Sequence, residues 1–163
     1  METIKGKVIS INISEKKGTV KKPVKMACVK ENFGIVGDAH SGSGRQVSFI
    51  GWDAVENWLK KKSKKIKINY GDFAENITTD GIDWNKAKVG DKIKIFSPKS
   101  EVRSPKSILE ITQIGKECHS GCAIRKAVGD CIMPKQGIFA KVLNGGEIKI
   151  GDTIESGSKK KND

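Results

Sequence analysis

Three of the four cysteines lie within fourteen residues of one another, and basic side chains flank them. The cysteines are Cys118, Cys122 and Cys131, and the basic neighbours are Lys116, His119 and Arg125. Nearby positive charge favours the thiolate, which can act as a nucleophile, carry sulfur or bind a soft metal. Zinc is an alternative, but Cys118 and His119 are adjacent, which disfavours joint tetrahedral ligation. Inert core thiols are the third interpretation of this cysteine segment (residues 115–134).

A glycine-rich loop (residues 37–46) carries one histidine and one arginine. Glycines allow backbone N–H groups to face a ligand, His40 could give or accept a proton, and Arg45 could bind an anion through its planar guanidinium group. The pattern of a nucleotide-binding P-loop is absent. A flexible connection with a surface histidine would have the same composition.

A third segment, the carboxylate turn (residues 70–76), places two acidic residues three positions apart. Asp72 and Glu75 could perform acid–base chemistry if a pocket moved their pKa values apart. The simpler interpretation is that Asp72 organises a turn and Glu75 is exposed, because aspartate is common in turns.

The elements that must position these residues are mainly short strands. Alternation of apolar and polar residues predicts strands at 7–13, 46–50, 108–114 and 138–143, and two Gly-Asp pairs, at 90–91 and 151–152, precede further alternating stretches. The spacing of apolar residues predicts a helix over 53–62. Short strands at intervals of roughly 8–12 residues with one or two helices predict a mainly β protein, a closed or partly closed β-barrel. Cys28, among apolar neighbours, is expected to be a buried core residue.

Composition restricts location and partners. The 163 residues favour one domain, and 31 Lys or Arg against 19 Asp or Glu give a net charge of +12. The lysines are scattered rather than interleaved with aromatic residues, which does not favour nucleic acid as a partner.

No apolar stretch approaches the roughly 20 residues that span a bilayer, and no signal-peptide pattern is evident, so we expect a cytoplasmic protein without membrane association. Residues 156–163 contain no apolar residue, which predicts a disordered basic tail after a domain of residues 1–155.

The three segments, in this order, resemble the MOSC domain, a family named for the C-terminal domain of molybdenum cofactor sulfurase. The matching stretches include GIVGDAHSGSGRQVSF, YGDFAENITTDGID, KVGDKIKI and the long stretch that begins LEITQIGKECHSGCAIRKAVGDCIMP. They run from about residue 5 to residue 154, and the resemblance is to small stand-alone bacterial members. It implies a strand-rich barrel of the MOSC, PK-barrel-like type.

The resemblance also implies a site for the molybdenum cofactor, a pterin with a dithiolene and a phosphate. It implies a reactive cysteine that carries sulfur or ligates molybdenum; Cys118 is the first candidate, Cys131 the second and Cys122 a neighbour. The residues implied in cofactor binding are Asp38, His40, Arg45, Gln46, Asp72, Glu75, Asn76, Lys116, His119 and Arg125. Arg45 would suit the phosphate, and Asn76 and His40 the pterin edge. Ala74 stands where the family often has glycine.

The function implied is sulfuration, biosynthesis or delivery of the cofactor. No cysteine-desulfurase, ferredoxin-like or flavin-binding segment is evident, so a separate protein is expected to donate sulfur or electrons. Two alternatives stay open. One is a molybdenum-dependent reductase of N-hydroxylated compounds with an external electron donor, and the other is a non-catalytic zinc or nucleic-acid binding module.

Overall fold

The fold is known from a computed structural model that describes residues 3–17, 19–61, 67–98, 104–115 and 136–157. Six predicted site residues lie outside the described residues: Lys116, Cys118, His119, Cys122, Arg125 and Cys131. The predicted tail lies outside them from residue 158 onward.

Short strands make up most of the described chain. They are β1 (Ile4–Ile13), β2 (Lys22–Val24), β3 (Met26–Lys30), β4 (Gly34–Ile35), β5 (Val47–Gly51), β6 (Ile77–Asp80), β7 (Lys92–Phe96), β8 (Ser107–Ile114), β9 (Ile138–Asn144), β10 (Gly146–Lys149) and β11 (Thr153–Gly157). Two helical elements lie wholly within the described residues, α1 (Trp52–Lys60) and a 3₁₀ turn at Trp84–Lys86. The helix predicted over 53–62 is therefore confirmed, although it begins one residue earlier and ends two residues earlier than predicted.

Seven strands close into a barrel in the order β1-β11-β7-β8-β9-β5-β6 and back to β1. Neighbouring strands are antiparallel except β5 and β6, which are parallel. The ring closes where Ile4 of β1 lies opposite Ser156 of β11. Strand β2 pairs with the last residues of β1. Strands β10, β3 and β4 form a separate three-stranded sheet. The mainly β class and the closed barrel predicted from the sequence are confirmed.

Alternation along the strands separates two apolar cores. One face of each barrel strand points inward, so residues such as Ile11, Phe49 and Ile77 are completely buried in the interior. A second cluster lies on the outer surface of the barrel beneath α1, where Val55 packs with Phe139. Helix α1 therefore covers the part of the barrel wall formed by β5 and its two neighbours, β6 and β9.

The two Gly-Asp pairs form equivalent corners. Gly90 and Gly151 both have φ of +96°, which glycine adopts without strain. Asp91 accepts a hydrogen bond from Lys88 N–H at 2.9 Å, and Asp152 accepts one from Lys149 N–H at 2.8 Å. Strands β7 and β11 are adjacent in the ring. The repeated Gly-Asp pair therefore marks two equivalent turns, each of which precedes one of these two strands.

Two expectations are corrected by the structure. Cys28 is exposed rather than buried, because Ala27 and Val29 on either side of it occupy the inward positions of β3. Strand β11 runs to Gly157 with Ser156 buried, so the folded domain extends two residues beyond position 155. Over the described ranges, no helix has both the length and the apolar character needed to cross a bilayer.

Candidate functional site

The end of β1 holds the glycine-rich loop and the carboxylate turn side by side. Ser14 N–H donates to Asp38 Oδ1 at 3.1 Å, and the Ser14 carbonyl accepts from Ala39 N–H at 2.8 Å. Two residues earlier, Asn12 N–H donates to the carbonyl of Asn76 at 2.6 Å. The structure thus brings together two segments that are separated by 23 residues in the sequence.

A buried ion pair lies under the glycine-rich loop. Lys21 Nζ is 2.6 Å from Asp38 Oδ1, and both side chains are completely shielded from solvent. Lys21 Nζ also donates to Ser14 Oγ at 3.1 Å and lies 3.2 Å from His40 Nδ1. Lys21 was not among the residues predicted to form the site, because nothing in the local sequence distinguishes it from the exposed Lys22 beside it.

Asp38 is ionised in this environment. Burial by itself would raise the pKa of Asp38, but hydrogen bonds from Lys21 Nζ and from the backbone N–H of His40, together with the charge of Lys21, hold it well below its usual range. The backbone N–H of His40 donates to Asp38 Oδ2 at 3.1 Å. Asp38 therefore fixes the start of the loop through both of its oxygens.

His40 stands at the boundary between this buried cluster and the surface. Its side chain is 25% exposed, and its Nδ1 atom faces the ion pair. Among the described residues, Nε2 has no hydrogen-bond partner. His40 is thus held from beneath by buried charges and presents its other ring nitrogen outward.

Arg45 lies at the far end of the same loop, on the outer surface of the barrel. Its Nε donates to Gln113 Oε1 at 3.3 Å, and its guanidinium carbon is 5.6 Å from the centre of the Phe139 ring. Gln113 Nε2 in turn donates to the carbonyl of Gly115 at 2.8 Å, and Gly115 N–H donates to the carbonyl of Gly137 at 2.7 Å. Arg45 is therefore linked through Gln113 to the residues that flank 116–135.

Gln46 and Asn76 are part of the barrel wall. Gln46 is buried, with its Oε1 accepting from Val142 N–H at 3.0 Å. Asn76 Oδ1 accepts from Ser48 N–H at 2.9 Å, and its Nδ2 donates to the carbonyl of Asn12 at 3.2 Å. Each amide takes the place of a strand partner for backbone groups, which is a structural use of these side chains.

The two carboxylates of the carboxylate turn occupy very different surroundings. Asp72 accepts from Asn69 N–H at 2.8 Å and organises the turn, as the simpler interpretation predicted. The expectation that Glu75 is exposed is wrong, because Glu75 is completely buried. Its Oε2 accepts from Gly71 N–H at 3.1 Å and from Thr78 Oγ1 at 2.8 Å, while its Oε1 has no partner among the described residues.

The electrostatics of Glu75 follow from this burial. Loss of solvation raises the pKa of Glu75 to about 7, although the hydrogen bonds from Gly71 and Thr78 act in the opposite direction. Close packing forces the turn to be tight: a Cβ on Gly71 would lie 2.1 Å from the carbonyl oxygen of Lys21. Ala74 has φ of +61°, a left-handed conformation that explains why glycine would suit this position.

The described ranges contain no group of three His, Cys, Asp or Glu side chains that could hold a metal ion. Two polar groups of the described part of the site are free to meet a ligand: the outward ring nitrogen of His40, and the guanidinium N–H donors of Arg45. Such an arrangement can bind an anion or a polar ligand rich in acceptor atoms.

Comparison with known proteins adds a family and several solved structures of the same fold. A family model described as MOSC domain matches residues 36–155. The crystal structure of the YUAD protein from Bacillus subtilis is 20% identical, with a TM-score of 0.75 over 98% of this chain and 99% of that chain. YiiM from Geobacillus stearothermophilus is 19% identical, with a TM-score of 0.68 over 94% and 75% of the two chains. YiiM from Escherichia coli is 15% identical, with a TM-score of 0.63 over 98% and 72%. A search of curated proteins gives no match.

Proposed function

Since the chain belongs to the MOSC domain family, we propose that it binds the molybdenum cofactor and handles sulfur or molybdenum through a cysteine thiolate. The observation that carries the proposal is the buried Lys21–Asp38 pair beneath the glycine-rich loop, which holds His40 with one nitrogen facing outward. Separating the two partners of a buried ion pair would leave a buried charge uncompensated, which is strongly destabilising. The pair therefore holds the loop in one fixed geometry.

The described residues suit the acceptor-rich part of this cofactor. Arg45 offers a planar set of donors that matches the geometry of a phosphate, and the ring of Phe139 supports it from one face. His40 offers a second polar group on the same loop. The positive net charge of +12 raises the rate at which any anionic ligand is met.

When bound, the cofactor would supply a molybdenum centre with affinity for sulfur ligands. We assign the thiolate to Cys118 first and Cys131 second, with Cys122 as a neighbour; all three lie outside the described residues. The basic residues Lys116, His119 and Arg125 would favour the ionised thiol. Sulfur or electrons would come from a separate donor protein.

We assign a supporting role to the other predicted cofactor residues. Gln46 and Asn76 hold neighbouring strands, and Asp72 organises the carboxylate turn. Asp38 and Glu75 are buried and bonded to backbone N–H groups of their own loops. These side chains shape the walls from which His40 and Arg45 project.

Metal analysis tests the proposal. Protein produced in cells that make the cofactor should retain molybdenum in stoichiometric amount, and Cys118→Ala or Cys131→Ala should abolish retention. Cys28→Ala is the matched control, since Cys28 is exposed on a different sheet. Unchanged retention in both test variants would refute the thiolate assignment. Zinc in place of molybdenum, or steeply salt-dependent binding to nucleic acid, would instead support a non-catalytic module.

The reductase alternative can be decided with the same samples. Molybdenum-loaded protein would be supplied with a chemical reductant and N-hydroxylated compounds, and consumption of the compound would be followed. Turnover that disappears in the cysteine variant lacking molybdenum would extend the proposal to an oxidoreductase. Absence of turnover by the loaded protein would eliminate this activity for the compounds tried.

A further inference from the structure

The surroundings of Lys21 constrain the chemistry of His40. An ammonium group has three N–H donors and no acceptor. Lys21 Nζ has three acceptors around it: Asp38 Oδ1 at 2.6 Å, Ser14 Oγ at 3.1 Å and His40 Nδ1 at 3.2 Å. The Lys21 side chain is completely buried, so each of its three donors must be used within the protein.

This geometry determines which nitrogen of His40 carries the proton. Because Lys21 can only donate, Nδ1 must accept, and a neutral imidazole then carries its proton on Nε2. The competing arrangement has Nδ1–H donating to Asp38 Oδ2, but that distance is 3.7 Å, beyond the range of a hydrogen bond. Asp38 Oδ2 already accepts from the backbone N–H of His40 at 3.1 Å.

We propose that Lys21 is a positioning residue that fixes His40 in its Nε2–H tautomer, so that His40 presents a hydrogen-bond donor to an acceptor atom of the ligand. In this role His40 orients the ligand and does not remove a proton from it through Nε2. The identity of the ligand rests on the proposed function, whereas the tautomer rests only on the cluster of Lys21, Asp38 and Ser14.

Nitrogen NMR of the ligand-free protein, labelled with ¹⁵N-histidine, measures the tautomer directly. The chain contains only two histidines, so His119→Gln identifies the signals of His40. In weakly alkaline buffer we expect a pyridine-type shift for Nδ1 and a pyrrole-type shift for Nε2. A proton on Nδ1, in the neutral or the charged ring, would overturn the proposal.

A pair of variants separates the role of Lys21 from a general effect of mutation. Lys21→Met combined with Asp38→Asn removes both buried charges together, which avoids leaving one of them unpaired. We expect the His40 nitrogen shifts of this double variant to move toward the average of the two tautomers. Lys22→Met, at an exposed position, should leave them unchanged. If the double variant keeps the wild-type shifts, Lys21 does not set the tautomer; if it does not fold, the wild-type spectrum still decides the assignment.

The donor role of His40 has its own test in the retention of molybdenum. Glutamine can place an N–H donor near the position of Nε2, whereas leucine offers none. We expect His40→Gln to retain the cofactor and His40→Leu to bind it about tenfold more weakly, which is the effect of one lost hydrogen bond. Equal losses in both variants would contradict a donor role. If the wild-type protein retains no molybdenum, the proposed function fails while the NMR result stands.

Discussion

Glu75 makes the stability of the protein depend on pH in a direction opposite to that of most carboxylates. The unfolded chain ionises this residue near 4.5, whereas burial raises the pKa of Glu75 in the folded protein to about 7. Between these values the folded state holds a proton that the unfolded state releases. The contribution of Glu75 to the free energy of unfolding is therefore largest below about pH 4.5 and is lost as the pH rises through about 7.

The size of the effect follows from the two pKa values. At about 1.4 kcal/mol per pKa unit, the difference between 4.5 and about 7 corresponds to about 3 kcal/mol. Between pH 5 and pH 8, the unfolding free energy loses about 2.5 kcal/mol of this contribution. Glu75→Gln removes the ionisation but leaves a buried amide N–H₂ where Oε1 has no partner among the described residues, so this variant also carries a penalty that does not vary with pH.

Urea unfolding at pH 5, 6, 7 and 8 measures this dependence under reducing conditions. The informative quantity is the difference in unfolding free energy between wild type and Glu75→Gln at each pH, because contributions from all other titrating groups cancel. We expect this difference to shift by about 2.5 kcal/mol in favour of the variant from pH 5 to pH 8. Parallel curves for the two proteins would show that Glu75 does not titrate in this range, and the argument from burial would be refuted.

Three further outcomes follow from the packing and charges of the site. Gly71→Ala should destabilise the protein by about 2 kcal/mol more than Gly37→Ala in urea unfolding, because both positions have positive φ but only the first Cβ would overlap the Lys21 carbonyl oxygen; equal losses would contradict the clash. Lys21→Met should cost about 3–5 kcal/mol by leaving its carboxylate partner buried and unpaired, against less than about 0.5 kcal/mol for Lys22→Met. Arg45→Lys keeps the charge but loses the planar donor set, so titration calorimetry with the cofactor should show about tenfold weaker binding, and unchanged affinity would remove Arg45 from the phosphate site.

The architecture could be predicted from the sequence because each strand of a closed barrel has one inward face. Alternation therefore recurs along the chain, and the Gly-Asp pairs mark where two of the strands begin. The orientation of a single residue was harder to infer. Apolar neighbours on both sides made Cys28 resemble a core residue, yet in a strand those neighbours imply the opposite orientation for the residue between them.

Predicting the site required contacts that sequence spacing does not show. The proximity of Asp38 and His40 is local and could be inferred from their separation of two positions. Lys21 reaches Asp38 from seventeen positions away, and nothing nearby distinguishes it from an ordinary surface lysine. The burial of Glu75 depends on packing of the carboxylate turn against the end of β1, a contact between segments distant in the sequence.

The pairing of β1 with β11 also constrains when the protein can reach its final form. During synthesis β1 is the first of the seven barrel strands to leave the ribosome, and β11, one of its two neighbours in the ring, is the last. Until residues 153–157 emerge, both β1 and β7 have an edge with unpaired N–H and carbonyl groups. A nascent chain is therefore an open sheet that can pair with other chains, and contacts of such long range form slowly. The barrel can therefore close only after β11 has left the ribosome.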